Sequence, residues 1–479
     1  MPDLSERSVV SSPGLVLGVL ASGCAGYAML QSLVVPALPT LQHDLDTTPT
    51  GVTWVFTAYL LSASVATPIV GRLGDMFGKK RTLLLVMAGL AAGSLVAALA
   101  TTLPLLIAAR AIQGVGGAMF PLAFGIIRDE FPPERLAGGI ALISGLLGIG
   151  GGLGIVLAGP ILDNLDYHWL FWIPGVIVVA TAIATMLLIP ESPIRAPGSI
   201  DWFGAALLSF WLVALLLAIS EAPQWGWASG RTLGLLALAA VGAVVWVVVE
   251  SRTVSPLVDM QMMRLRPVWS TNLAGFLIGF GLYSAFVLIP QFVQTPSSGG
   301  FGFGSSVTQS GLFLVPSTLM MLVAAPFSGR LSRMRGPKVP LVLGAVTTML
   351  AFVSLAIAHT SHWHVYLASI LLGIGVGFAF ASLANLIVEA VRPDQTAVAT
   401  GMNAVVRTVG GAIGGQVAAS LLAASLLANG YPSEHGYTTT FVVMAGVLAT
   451  SVAASLAVPG RSRQLSPAIL VAESEGSLE

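Results

Sequence analysis

The 479-residue sequence predicts an all-α integral membrane protein of fourteen transmembrane helices: two six-helix pseudo-symmetric halves plus two inserted helices. Three observations carry this prediction. Hydrophobic residues make up 55% of the chain and charged residues 9%, whereas a soluble domain carries about 25% charge. Apolar runs of the roughly 20 residues that cross a bilayer recur along the whole length. A charged segment, GRLGDMFGKKR at 71–81, returns in altered form 258 residues later.

The apolar runs fall near 14–36, 51–70, 82–101, 103–127, 137–162, 169–189, 202–220, 232–250, 271–294, 307–328, 339–358, 363–388, 398–427 and 438–459. Short connections between them suit antiparallel neighbours in a bundle. The first run contains LASGC at 20–24, which resembles a lipoprotein cleavage box, but apolar sequence continues to about Val35, so a spanning helix is expected. Cys24 is the only cysteine, so neither a disulfide framework nor a cysteine metal cluster is available. The net charge of zero does not suggest nucleic acid. Eighteen Arg against three Lys, with abundant Ala and Gly, suits a bacterium with a GC-rich genome.

Lys and Arg orient the spans, because loops facing the cytoplasm retain them. With the N-terminus inside, eighteen of the 21 fall on the cytoplasmic side, from Arg7 to Arg463, and only Arg231 falls outside. Arg110 and Arg407 remain within spans. This asymmetry requires an even number of spans and places both termini in the cytoplasm. All six histidines, His43, His168, His359, His362, His364 and His435, fall on the external side. They are read as solvated loop residues, with sensing of external pH as the alternative. Trp169, Trp225, Trp227 and Trp363 sit at external ends, as interfacial anchors do.

PIVGRLGDMFGKK at 68–80 aligns without a gap to PFSGRLSRMRGPK at 326–338. IQGVGGAMF at 112–120 likewise resembles LLGIGVGFA at 371–379. A two-fold internal duplication of this kind is a common build of secondary transporters. It divides the chain into a first half (1–200), two inserted helices with a linker (201–266), a second half (267–460) and a tail (461–479). The inserted pair has no counterpart in either half and is not expected to line a transport path.

At these residues the chain resembles the major facilitator superfamily, and more narrowly its fourteen-helix drug:proton antiporters of the multidrug efflux type. GRLGDMFGKKRTLLL is similar to the loop signature between helices 2 and 3, RAIQGVGGA at 110–118 to the helix 4 signature, and GIVLAGPILD at 154–163 to the antiporter Gly-Pro motif. The last match is imperfect, because ILD replaces the second expected Gly pair.

The resemblance implies roles. Gly71, Gly74 and Gly78 permit a sharp reversal, flanked by Arg72 and Arg81. Asp75 would face the start of span 13, near Thr396 to Thr400. There a helix N-terminus stabilises an anion by about 0.3–1 kcal/mol, giving a breakable latch between the halves. Arg333 stands where the second copy would place Asp75, so its contact should be weaker or different. Arg110, beside Gln113 and Gly114, costs at least about 2.5 kcal/mol within a bilayer. It is either a link between proton movement and conformational change or a structural tether to backbone carbonyls and Gln113. Arg407 follows the same argument. Gly159 and Pro160 would thin and bend span 5 where it rocks against span 10, with close packing as the alternative.

One departure stands out. Antiporters of this branch carry an aspartate in helix 1, where this chain has Gln31. Coupling would then use Asp163, or Asp75 with Arg110, or another gradient, or be absent. A cationic substrate loses its expected partner, which favours a neutral or amphipathic one. The cavity is expected among spans 1, 2, 4, 5, 9, 10, 12 and 13, with Gln31, Tyr59, Tyr283, Gln291, Asn385 and Asn403 as polar substrate-binding candidates and Gln113 beside them. The function expected is export of small lipophilic compounds, drugs or antibiotics, across a bacterial inner membrane by alternating access and proton antiport. No cofactor, metal or enzymatic constellation is expected, and the chain is expected to work as a monomer in the lipid bilayer. Lipid or metabolite export, or a non-transporting sensor, are the rivals.

Overall fold

The protein is described here from a computed structural model covering residues 13–192, 194–197, 199–297, 301–427 and 431–460. Its elements are helices, with no strand among the described residues. The first half contains α1 (Pro13–Ser32), α2 (Val34–Asp44), α3 (Pro49–Phe77), α4 (Lys79–Ala98), α5 (Leu103–Gln113), α6 (Met119–Glu130), α7 (Pro133–Asn164) and α8 (Trp169–Leu188). The inserted segment forms α9 (Trp202–Trp225), α10 (Gly230–Glu250) and the short α11 (Met260–Arg264). The second half contains α12 (Arg266–Gln294), α13 (Val307–Leu312), α14 (Val315–Arg335), α15 (Lys338–Ile357), α16 (His362–Ala390), α17 (Thr396–Ala423) and α18 (Glu434–Ala457).

Thirteen helices, searched among the described residues, are long and apolar enough to cross a membrane. The remaining expected span, 137–162, falls in the 32-residue α7, part of whose side chains lie outside the described residues. Helices prevail because a bilayer offers no water to unpaired backbone groups. At the helix ends the first-turn N–H groups lack intrahelical partners, and side chains take over. Thr48, Asp201, Ser229, Ser306 and Ser433 each accept a backbone N–H in the first turn of the helix that follows, as N-caps do. Large apolar side chains point outward, among them Leu85, Leu187, Val241, Val244 and Ile357, each more than 60% exposed. In water such a surface would aggregate; in lipid it is the expected exterior.

Three apolar cores hold the helices together. One runs through α1 to α8, including Leu30, Met87 and Phe171. A second runs through α12 to α18, including Phe292, Phe352 and Phe441. A third joins Leu208 and Leu212 of α9 and Trp246 of α10 to Val398 and Met402 of α17, with Val65 and Ile69 of α3 against it.

Small residues set how closely helices approach. A Cβ at Gly410 or Gly414 of α17 would press into the carbonyls of Phe276 and Phe280 on α12. Gly410→Val is therefore expected to cost about 1–3 kcal/mol by overpacking. The reading is a lowered melting temperature of the purified protein in detergent. Gly446→Ala is the control, because a Cβ there meets nothing within 4 Å; equal melting of the two variants would contradict the packing argument.

Candidate functional site

The site has two parts: a seal at the end of the bundle that carries residues 71–81, here called the basic end, and a cavity at mid-depth. The seal begins at the boundary between α3 and α4. Gly78 sits there with φ of 111°, a conformation that disfavours any Cβ. A Cβ would also meet a Glu191 carboxylate oxygen at 2.6 Å. That carboxylate accepts the backbone N–H groups of Lys80 and Arg81, both at 3.1 Å, and so caps α4 from beyond α8. The exposed Arg81 lies 3.6 Å from it.

Asp75 is fully buried. Its carboxylate accepts the N–H of Ala397 at 3.2 Å and of Val398 at 2.9 Å. These are first-turn N–H groups of α17, which lack intrahelical partners. The contact is close because a Cβ at Gly71 would meet the Ala397 carbonyl oxygen at 2.8 Å. Arg72, beside it, is buried with its Nε unpartnered. Arg128 of α6 adds to the same seal, donating to the carbonyls of Val391 and Arg392 and to the hydroxyl of Thr396. The duplicated element meets the opposite half: Arg333 donates to the Glu134 carbonyl at 3.2 Å, and a Cβ at Gly329 would touch Ala137 and Gly138. Asp75 and Arg333 thus occupy matching positions but make different bonds.

Charge lies deeper than topology alone requires. Lys79 has no exposure, with its Nζ 2.6 Å from an Asp129 oxygen and 3.9 Å from Asp75. The Ser192 hydroxyl donates to the same Asp129 carboxylate, and the Ala196 N–H donates to the Asp75 carbonyl at 2.6 Å. Sequence reasoning assigned Lys79 and Arg128 to topology and did not single out Asp129 or Glu191. Acids set among bases at 129 and 191 were the available signal.

Arg110 is also fully buried. It donates to the carbonyls of Val55 (3.1 Å) and Leu30 (3.0 Å) and to the Gln113 side-chain oxygen (2.8 Å). Its guanidinium carbon lies 4.1 Å over the Tyr59 ring. Gln113 in turn donates to Ser94. The geometry is that of a tether joining α5 to α1 and α3. It can form because residues 114–118 depart from the α-helix, where a Cβ at Gly114 would press into Ser62 at 2.5 Å.

The cavity, of about 190 Å³, lies between the halves. Tyr27, Gln31, Phe56 and Phe120 line it from the first half, and Tyr283, Phe286, Phe380 and Arg407 from the second. Gln31 and Tyr283 thus line it from opposite halves. No residue of α9 or α10 lines it among the described residues.

Several predicted positions lie elsewhere. Tyr59 is sealed behind Tyr27, the two rings stacked at 6.0 Å. Gln291 is exposed and lines a separate groove with Gln294 and Tyr431. Asn385 donates to the Ala381 carbonyl one turn back and to Ala137 at the basic end. Asn403 donates to Asn272 between α17 and α12. Span 5 contributes no described lining residue. Besides the Gly329 contact at the basic end, it meets α14 at Gly145, whose Cβ would meet Ala325 at 2.7 Å. Pro160 is exposed and Gly159 half-buried, and Asn164 donates to the Pro160 carbonyl. The Asp163 side chain lies outside the described residues, as do Arg7, Arg461 and Arg463.

Comparison with known proteins places this arrangement. The sequence model of the Major Facilitator Superfamily matches residues 20–415. A tetracenomycin C resistance and export protein of Streptomyces glaucescens is 30% identical over 420 residues, which is 86% of this chain and 76% of that protein. Multidrug resistance protein 3 of Bacillus subtilis is 28% identical over 405 residues, covering 84% and 77%. The crystal structure of the human organic anion transporter MFSD10 (TETRAN) is similar in fold, with a TM-score of 0.69 at 18% identity, covering 93% of this chain and 99% of that one.

Proposed function

The chain belongs to the Major Facilitator Superfamily, and from that premise we propose that it exports small lipophilic compounds across a bacterial inner membrane by alternating access, driven by proton antiport. Its relatives are multidrug resistance and export transporters rather than enzymes, and it is a multi-pass membrane protein. The observation that carries the proposal is a cavity walled by both halves, with Asp75 of α3 bonded to the start of α17 at the basic end. In the proposed orientation the basic end is cytoplasmic and the molecule is closed toward the cytoplasm. Hydrogen bonds to a charged acceptor contribute about 1.5–3 kcal/mol each, enough to favour one state and small enough to break in every cycle.

Proton coupling enters at the seal. A proton on Asp75 would turn one accepting oxygen into a hydroxyl facing a backbone N–H, loosening α17. Arg110 carries the change inward, since it holds α1 and α3 together and Tyr59 beneath it stacks on the cavity-lining Tyr27. Proteoliposomes containing the full chain, loaded with a lipophilic dye, test the reading under an imposed pH gradient. The expected result is gradient-dependent dye flux. Flux that ignores the gradient would remove antiport and keep transport; no flux across many substrate classes would favour a sensor.

A further inference from the structure

Arg407 is the charged side chain among the described residues lining the central cavity, and neither Asp nor Glu lines it. No described carboxylate pairs with it. Its backbone and stem are pinned where α17 crosses α12: a Cβ at Gly279 would meet its carbonyl, and its Cγ at 2.9 Å. Its guanidinium carbon lies 4.2 Å over the Phe380 ring. A cation within a bilayer is costly, and a cation–π contact returns only part of that cost. What remains unsatisfied is the fork of N–H donors, which matches a carboxylate or sulfonate in bidentate geometry. Among the other wall groups, Tyr27, Phe56, Phe120, Tyr283 and Phe286 are flat and aromatic and suit stacking on a ring system. Arg110 does not compete for the same ligand, because Tyr59 and Tyr27 stand between it and the cavity.

We infer that the cavity takes aromatic organic anions, with the ring body against these aromatic walls and its single acidic group on Arg407. The inference names the cargo of the proposed transporter and rests on that reading for movement across the membrane, though not for binding. It sharpens the expectation of a neutral or amphipathic ligand drawn from Gln31: the described cavity lining lacks an acid and also holds an unpaired base.

Two xanthene dyes of similar ring and opposite charge, fluorescein and rhodamine 6G, test it by fluorescence polarisation with the purified full-length protein at neutral pH. Wild-type protein should bind fluorescein about tenfold more tightly or better. Arg407→Gln should remove most of that preference while leaving rhodamine 6G binding unchanged, and Arg407→Lys should restore part of it. A merely structural arginine would move both dyes together. Equal or tighter binding of rhodamine 6G by wild-type protein overturns the inference, as does an unchanged dye preference in folded Arg407→Gln. The same dyes in proteoliposomes separate the two readings. Charge-selective binding without flux of either dye removes the transporter and keeps the anion site. Flux of both dyes with a fluorescein-to-rhodamine ratio that is indifferent to Arg407→Gln keeps the transporter and removes the anion site.

Discussion

Asp75→Asn is expected to cut dye export by about tenfold or more while leaving the abundance of folded protein unchanged. The carboxylate offers one oxygen to each of two adjacent N–H groups at the start of α17. An asparagine keeps the shape and one acceptor, and turns an NH2 toward the other N–H. The charged hydrogen bond lost is worth about 1.5–3 kcal/mol, and the anion lost from a helix N-terminus about 0.3–1 kcal/mol more. That is enough to move the balance of closed and open states by tenfold or more. Thr67 lines the cavity, so a Thr67→Cys probe in a Cys24→Ser background reports the balance directly. A thiol reagent applied at the basic end should reach it faster once Asp75 is changed. Unchanged flux with unchanged labelling would leave the seal without a role.

Lys79→Met is expected to be the most destabilising single change at the basic end. Lys79 and Asp129 are both without exposure and 2.6 Å apart, and the lysine stem lies over Gly125, where a Cβ would meet its Cδ and Cε at 2.7 Å. Removing one member of such a pair leaves a buried charge uncompensated, at a cost of about 3–5 kcal/mol. Removing both is far less harmful, so Lys79→Met combined with Asp129→Leu should recover much of the loss. Chemical denaturation of the purified variants in detergent, analysed as a double-mutant cycle, measures it. Additive losses in the double variant would mean that the two side chains do not stabilise each other.

The spans were legible because lipid imposes a length and forbids unpaired backbone, leaving a plain mark in composition. The partner of Asp75 was legible through the family resemblance, which implied the start of span 13; the physical reason it suits is that first-turn N–H groups lack intrahelical partners. The expected segment, Thr396 to Thr400, contains the two N–H groups that bind it. The cavity lining was much less legible. A polar residue in an apolar helix suggests a ligand contact, but Asn385 finds the carbonyl four residues back and Asn403 finds Asn272. A helix can satisfy its own amides, and the sequence does not say when it does. Lys79 was hidden by its neighbours, since a lysine among arginines looks like a topology signal until Asp129 is brought beside it by the fold.

The placement of α9 makes the two seams between the halves unequal. Along one seam α3 meets α17, and Leu208 and Leu212 of α9 pack over Val65, Ile69, Val398 and Met402. Along the other α7 meets α14, where Gly145, Ala137 and Gly329 bring the backbones close and neither inserted helix covers the line. Acyl chains therefore touch one seam and are held off the other. The two halves thus meet along one seam backed by an inserted helix and one that is not, so the molecule has a front and a back.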